Sequence, residues 1–366
     1  MSSTQKEMDM IIRNQTVPTN LKTSDFDYAL PPELIAQHPT DERDAARLMV
    51  LDRKTGSITH RIFRDILDYI RPEDVLVIND SKVIPARLYG TVAGRPDAPM
   101  EILLLRQRDL NLWETLVKPG KRARIGMKLD FGEGRLEGEV TGIDEEGNRL
   151  IRFSFDPARY DSIYSVLHEI GIMPLPPYIS EALRKEEDYQ TVYARDEGSV
   201  AAPTAGLHFT NELLDAVRAK GTDVVPVMLH VGLGTFRPVK AERIEDHVMH
   251  TEFFSVSADA ARRINERRTA GGRVICVGTT SCRTLESASD ESGMVHPMQA
   301  DTGIFIYPGY RFKCTDALIT NFHLPQSTLL MLISAFYDTK HIMEAYHVAV
   351  NERYRFFSFG DAMIIL

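Results

Sequence analysis

Between Arg195 and Pro238 the chain gathers residue types that can do chemistry, with no long apolar run among them. Arg195, Asp196 and Glu197 come first, then Gly206 and His208 in PTAGLHF, then His230 followed by Gly232, Gly234 and Thr235 in HVGLGTF. Either histidine offers an acid or a base near neutrality. The carboxylates can face a cation, and the glycines let backbone N–H groups approach a ligand. Two polar loops carrying satisfied histidines would use the same residue types, so geometry has to decide between the readings.

Other chemistries lack an anchor. Gly232 and Gly234 give the first half of a dinucleotide fingerprint, but Arg237 stands at the third glycine and Pro238 stops the helix that should follow. A G-x-S-x-G elbow, an H-E-x-x-H pair and a P-loop are absent from the sequence. His247, His250 and Glu252 in EDHVMHTEF raise a metal site, yet such residues more often belong to a hydrogen-bonded loop, and no metal is expected. Cys276, Cys282 and Cys314 form an odd set with neither disulfide-framework nor zinc spacing, which fits a reducing cytoplasm.

These residues must be positioned by an α/β framework. VLVIND (75–80) reads as a buried strand with a polar exit, and NDSKVIPAR places Asn79, Asp80, Ser81, Lys82 and Arg87 where open α/β sheets keep their sites. VVPVMLHV delivers His230 to a strand end after the helix NELLDAVRAKG, for which Thr210 is the candidate N-cap. RVICVGTT followed by TSCRTLESAS is the clearest strand-to-helix unit, and its first turn offers Thr279, Thr280 and Ser281 to a carboxylate or phosphate. A plain N-cap has the same sequence. Helical spacing is read over ELIAQHP, over HRIFRDILDYI (Ile62, Ile66, Ile70) and from Asp156-Pro157 to Gly171; IFIYPGY is read as a strand. DALITNF is a further strand, leading through His323 into the buried helix QSTLLMLISAFY.

The texture changes between residues 86 and 155. Short β-like runs alternate there with PDAP, PGKR, GEG and DEEGN, the pattern of a small inserted all-β barrel. The expected organisation is a flexible extension over 1–24, a catalytic α/β domain over 25–85 and 156–366, and the barrel domain over 86–155. An apolar content of 43% is enough for sizeable cores. The run LLMLISAF is far below the ~20 residues of a membrane span, and the N-terminus lacks a secretory h-region, so a cytoplasmic protein is expected.

A net charge of −9 argues against general nucleic-acid binding unless basic residues are gathered locally. From Lys82 to Arg135 there are eleven Lys and Arg against six Asp and Glu, densest at KPGKRARIGMK. Lys82, Arg87, Lys118, Lys121, Arg122 and Arg124 are therefore the candidate RNA contacts. The arginines of SADAARRINERRTAGG read instead as a solvated helix face, with RNA contact the lesser reading.

Ten separated blocks occur in an order that resembles a known family nearly end to end from Asp25 to Leu366. They are DFDYALPPELIAQHP, VLVINDSKVIPARL, GIMPLPPYI, DYQTVYARDEGSVAAPTAGLHFT, HVGLGTFRPV, MHTEFF, VGTTSCRTLES, IFIYPGY, ALITNFHLPQSTLLMLISAF and YRFFSFGDAM. The chain is similar to the S-adenosylmethionine:tRNA ribosyltransferase-isomerases of queuosine biosynthesis (the QueA family). Residues 1–24 extend beyond the family's usual start. Cys282 stands where a small apolar residue is common, which argues against a catalytic thiol.

The resemblance implies an α/β catalytic domain with an inserted β-barrel. It also implies transfer of the ribosyl part of S-adenosylmethionine to the aminomethyl group of a 7-deazaguanine at the tRNA wobble position. Adenine and methionine leave and epoxyqueuosine remains, so S-adenosylmethionine is a consumed substrate and no cofactor is needed. Loss of a C5′ proton beside the sulfonium needs a base, and departure of adenine needs an acid. His208, His230, Asp196 and Glu197 are the candidates, with the assignment between them open. The methionyl carboxylate wants an arginine or a helix N-terminus. Arg195, Thr279, Thr280 and Arg283 are the candidate anchors, and Thr204, Gly206, Gly232, Gly234, Thr235, Asn321 and His323 complete the expected binding set. The expected partners are tRNA and S-adenosylmethionine, without membrane, for a monomer. An S-adenosylmethionine-dependent RNA methyltransferase is the alternative, but it should show a glycine-rich strand-to-helix turn before the barrel; a non-catalytic RNA-binding module would leave the grouping around 195–230 without purpose.

Overall fold

The computed structural model describes residues 11–14, 19–232 and 239–366. Its chain divides into two compact units, one of residues 1–81, 177–196 and 203–366, the other of residues 82–176 and 197–202.

The larger unit is built on one ten-stranded sheet. In spatial order its strands are β1 (Ile11–Ile12), β16 (Met298–Thr302), β14 (Glu252–Val256), β13 (Asp223–Leu229), β4 (Val75–Asn79), β15 (Val274–Val277), β17 (Ala317–Asn321), β18 (Ala362–Ile365), β2 (Arg47–Leu51) and β3 (Ile58–Ile62). The central four, β13-β4-β15-β17, are parallel, so their carboxyl ends lie on one edge of the sheet. VLVIN, VICV and ALITN are buried at every residue, as expected of parallel strands covered on both faces. Alternate residues of these strands, including Leu76, Ile78, Ile275, Val277, Ala317 and Ile319, pack with Leu213, Leu214 and Val217 of α2 (Asn211–Ala219) and with Phe63, Ile66 and Phe209.

The other α-helices of this unit are α3 (Ala258–Thr269), α4 (Gly278–Ala288), α5 (Thr328–Phe336) and α6 (Thr339–Asn351). Thr210 caps α2 by accepting from the Leu213 N–H at 3.1 Å, as its sequence position indicates. Ser257, Ser327 and Asp338 cap α3, α5 and α6 in the same way. Helix α4 differs: Val277 stands at its N-cap and no side chain caps its first turn.

The smaller unit contains a closed antiparallel barrel in the order β10-β11-β8-β7-β6-β9. Its strands are β6 (Arg87–Val92), β7 (Arg95–Asp109), β8 (Leu112–Lys118), β9 (Lys128–Phe131), β10 (Leu136–Ile143) and β11 (Arg149–Ser154). Inward and outward residues alternate along β10, and Trp113, Phe131 and Phe153 fill the interior. Closure removes the exposed edges that so many short strands would otherwise present. The unit also holds α1 (Ile163–Ile170). Apart from the large sheet and the barrel, β5 (Ser81–Val83) pairs with β12 (Asp196–Ser199) as a two-stranded sheet. Thus the α/β class and the β-barrel stand as the sequence indicates.

Four local expectations are corrected. HRIFRDILDYI is not an α-helix: its first residues belong to β3, paired with β2, and a 3-10 segment (Phe63–Tyr69) follows, tightened by Asp65 accepting the Ile62 N–H at 3.2 Å. Only Pro32–Leu34 of the ELIAQHP region is helical, again as a 3-10 turn. Asp156 folds a turn by accepting the Ala158 N–H, and α1 starts later, at the N-cap Ser162. IFIYPGY forms no ladder; the strand there is β16, just before it. Part of the segment read as flexible is held, since Ile11–Ile12 pair with β16 and Asn14 makes two hydrogen bonds to the Phe305 backbone, at 2.8 and 2.9 Å.

Candidate active site at the carboxyl ends of the parallel strands

Asn79, at the end of β4, is fully buried and binds the neighbouring strand end. Its Nδ2 donates to the Leu229 carbonyl at 3.0 Å while its Oδ1 accepts the Leu229 N–H, also at 3.0 Å, and the Ser81 N–H at 3.2 Å. This amide fixes the exits of β4 and β13 side by side. Asp80 follows, buried, with its carboxylate accepting from the exposed Arg195 at 2.6 Å and its carbonyl accepting the Arg195 N–H at 2.8 Å. Burial raises the Asp80 pKa, partly offset by Arg195 and reinforced by the neighbouring charge of Asp196. A buried carboxyl with a raised pKa at a strand end is a candidate acid or base. The sequence places Asp80 at that strand exit without marking it as an acid or base.

His230 leaves β13 with its N–H on the Phe253 carbonyl at 2.9 Å. Its Nε2 is buried and has no partner among the described residues. Burial lowers its pKa to about 4, against a smaller opposite pull from Asp196. Asp196, itself exposed, thus acts electrostatically on both His230 and Asp80 and marks them as neighbours.

His208 is in a different state. Its Nε2 receives the Asn321 amide at 3.1 Å, and its other nitrogen is engaged by the Arg43 backbone. The ring packs tilted against Phe63, with centroids 4.9 Å apart. Burial, with the nearby charges of Arg355 and Arg43, lowers its pKa to about 4. With both nitrogens occupied it is a neutral, oriented imidazole. Thr204 completes the chain by donating to Asn321 Oδ1 at 3.1 Å, so Thr204, Asn321 and His208 form one buried relay of hydrogen bonds. His323 lies among Tyr28, Thr320 and Tyr346, with Nε2 on the Thr320 hydroxyl at 2.9 Å, and burial lowers its pKa to about 3. It is a packed residue apart from the His230 group.

Gly206 does not serve close approach to a ligand, because a Cβ there would overlap the Tyr193 hydroxyl. Gly232 spends its N–H on Glu252 Oε1 at 2.9 Å. Gly234 and Thr235 lie outside the described residues.

Glu252 and Arg283 are opposite charges buried together, each 3% exposed. Arg283 donates through Nη1 to Glu252 Oε2. His250 Nε2 lies 3.2 Å from the other carboxylate oxygen without hydrogen-bond geometry. Burial pushes the Glu252 pKa up, but Arg283 and His250 outweigh it and hold the group well below the usual carboxylate range. Glu252 was read only as part of a hydrogen-bonded or metal-binding loop; it is the counter-charge of Arg283. Thr279 and Thr280 open α4, whose axis starts at the end of β15.

The three cysteines are buried and unpaired, and burial raises the thiols of Cys276 and Cys314 well above the ordinary value. Neither chemistry nor access suits them to nucleophilic attack.

In the smaller unit Glu197 accepts from Lys82 at 2.9 Å and from His168 at 2.7 Å. Burial raises its pKa, but these two partners prevail and keep the carboxylate ionised. His168 was not singled out in the sequence, where it looks like one more polar residue of a helix. The expected RNA contacts divide in two. Lys82 is bound to Glu197 and Arg87 to Glu101. Lys118, Lys121, Arg122 and Arg124 are exposed and have no carboxylate partner among the described residues. Arg149 shapes their loop by donating to the Gly120 carbonyl at 2.6 Å and the Ala123 carbonyl at 3.1 Å. Of the α3 arginines read as solvated, Arg262 is on the exposed face, paired with the exposed Asp259 and Glu266, while the half-buried Arg263 binds Asp223 and Arg267 and Arg268 donate to backbone carbonyls.

Among the described residues no helix is long and apolar enough to cross a membrane. Comparison with known proteins gives one consistent result. The family described as "Queuosine biosynthesis protein" matches residues 23–365. An S-adenosylmethionine:tRNA ribosyltransferase-isomerase from Clostridium kluyveri is 56% identical over 346 residues, covering 94% of this chain and all of the relative. A relative of the same name from Clostridioides difficile is 55% identical over the same share. The crystal structure of an S-adenosylmethionine tRNA ribosyltransferase from Thermotoga maritima is similar with a TM-score of 0.54 and 42% identity, over 94% of this chain and all of that one.

Proposed function

This chain belongs to the queuosine biosynthesis family of S-adenosylmethionine:tRNA ribosyltransferase-isomerases, and from that membership we propose how its own residues perform the reaction. The protein is a tRNA-modifying transferase that uses S-adenosylmethionine. The methyltransferase reading has no support among its relatives. The ribosyl group passes to the aminomethyl substituent of a 7-deazaguanine at the wobble position, rearranges to the epoxycyclopentane of epoxyqueuosine, and releases adenine and methionine. S-adenosylmethionine is consumed, no resident cofactor or metal takes part, and the protein works as a cytoplasmic monomer.

His230 carries the proton, and the observation behind this is its buried, unpartnered Nε2 beside Asp196 and Asp80. A neutral imidazole with a free nitrogen can accept a proton, while a buried carboxyl with a raised pKa can supply one. His208 has no nitrogen to offer and instead orients Asn321, which with Thr204 and Arg195 completes the binding set. Glu197, held ionised by Lys82 and His168, is a fixed negative charge of the smaller unit and not the proton carrier. The unpaired cations of the 118–124 loop meet tRNA phosphates.

The test is product analysis with S-adenosylmethionine and tRNA bearing the aminomethyl base. Free adenine plus methionine is expected from the wild type, and S-adenosylhomocysteine would overturn the assignment. Folded His230→Ala should release adenine about 10²- to 10⁴-fold more slowly; near-normal release would remove His230 from proton transfer.

A further inference from the structure

Among the described residues, five of the six α-helices begin at a Ser, Thr or Asp whose side chain accepts a first-turn N–H, and α4 does not. Gly278 enters α4 at φ +84°, a left-handed turn that side-chain-bearing residues avoid. Val277 at the N-cap has no side-chain acceptor to offer, and the N–H groups of Gly278, Thr279 and Thr280 meet no side-chain cap among the described residues. Beside them the Thr280 hydroxyl is without a partner, on a residue only 9% exposed. It faces the start of the helix, since a Cβ on Gly278 would lie 3.4 Å from it.

Arg283 stands three residues after Thr280 and four after Thr279, hence on the same helix face, and long helical side chains lean towards the N-terminus. Only Nη1 is used by Glu252; Nε and Nη2 are buried without an acceptor. Every unfilled group at this place is thus a donor: helix N–H groups, one hydroxyl and the open edge of a guanidinium. Unpaired buried donors are costly, and together these fit one planar oxyanion with two acceptor atoms.

We infer that the first turn of α4 and the open edge of Arg283 bind the α-carboxylate of the methionyl group of S-adenosylmethionine. This rests on the reading that the chain consumes S-adenosylmethionine at these strand ends. A tRNA phosphate is the other oxyanion at hand, but residues as deeply buried as Thr280 and Arg283 suit a small molecule that can enter. Methionine keeps the same carboxylate when it leaves, so the free amino acid occupies this place after turnover and competes with the next S-adenosylmethionine.

The experiment compares S-adenosylmethionine with decarboxylated S-adenosylmethionine, by equilibrium binding to wild type and to Thr280→Val. Valine keeps the shape and removes only an unpartnered hydroxyl, so the melting temperature should stay or rise. Wild type should favour the carboxylate-bearing compound by roughly 10- to 100-fold, the range for hydrogen bonds to a charged group. In Thr280→Val that preference should shrink about tenfold, with tRNA affinity unchanged. Methionine should inhibit wild type and methioninol should not, a measurement that needs no variant. An unshifted preference, or a loss of tRNA affinity with S-adenosylmethionine binding intact, would overturn the assignment. Absence of adenine release by wild type would instead defeat the underlying reading, which keeps the two failures distinct.

Discussion

Glu252→Gln tests whether the buried charge pair organises the site end of the sheet. Glutamine has the shape of glutamate and can still accept the Gly232 N–H, so the loss falls on Arg283, whose guanidinium is left buried without its counter-charge. Breaking a buried pair from one side costs about 3–5 kcal/mol. With an unfolding entropy of about 2.1 cal/mol/K per residue, a chain this long shifts by roughly 1.3 °C per kcal/mol, which gives a drop of about 4–6 °C. Thermal and urea unfolding followed by circular dichroism measure it. Glu252→Gln combined with Arg283→Met should regain most of the stability, because a neutral pair replaces the ions, while S-adenosylmethionine binding stays lost. The sign with pH follows from the depressed Glu252 pKa: its contribution is full above about pH 4.5, the unfolded value, and fades as pH falls further, so wild type and Glu252→Gln converge in acid. A single-variant loss below about 1 kcal/mol, or a double variant no better than the sum of its parts, would refute the coupling.

His208→Ala should be destabilised by about 2–4 kcal/mol, since a cavity opens and Asn321 Nδ2 keeps only the Phe357 carbonyl as acceptor, while the folded fraction releases adenine within about tenfold of wild type; a 10³-fold loss would return proton transfer to His208. His208, His230 and His323 are all held neutral by burial, at about 4, 4 and 3, so the unfolded chain takes protons first. Their contribution is complete above about pH 6.5, the unfolded value, and is lost progressively towards pH 4, which a series of urea melts from pH 7.5 to 4.5 will show. Replacing Lys121, Arg122 and Arg124 by alanine should weaken tRNA binding and lower the slope of log affinity against log salt by about 2–3, with S-adenosylmethionine affinity unchanged. The same slope in wild type and variant would assign these residues to plain surface.

The larger features were legible because they are local. Turn residues at short intervals announced the barrel strands, Thr210 announced α2, and continuous apolar runs announced β4, β15 and β17. Where the reading failed, a distant partner decided. Ile62, Ile66 and Ile70 have helical spacing, but residues 58–62 are drawn into pairing with β2. His208 and His230 are equivalent in sequence; they differ because Asn321, 113 residues away from His208, occupies its Nε2, while His230 meets no such partner. Glu252 has the sequence of a loop carboxylate, and only the fold brings Arg283 to it; likewise α3 is solvated at Arg262, while Arg263 is drawn to the distant Asp223.

The short β1 segment changes where the ten-stranded sheet ends. Strand β16 would otherwise end the sheet with an open row of N–H and C=O groups, the kind of margin along which two proteins zip together. Ile11 and Ile12 occupy part of that margin, and Asn14 pins the chain there through the Phe305 backbone. Both attachments precede residue 23, where the family match begins. What reads in the sequence as a surplus leader is therefore, at Ile11, Ile12 and Asn14, part of the sheet's margin.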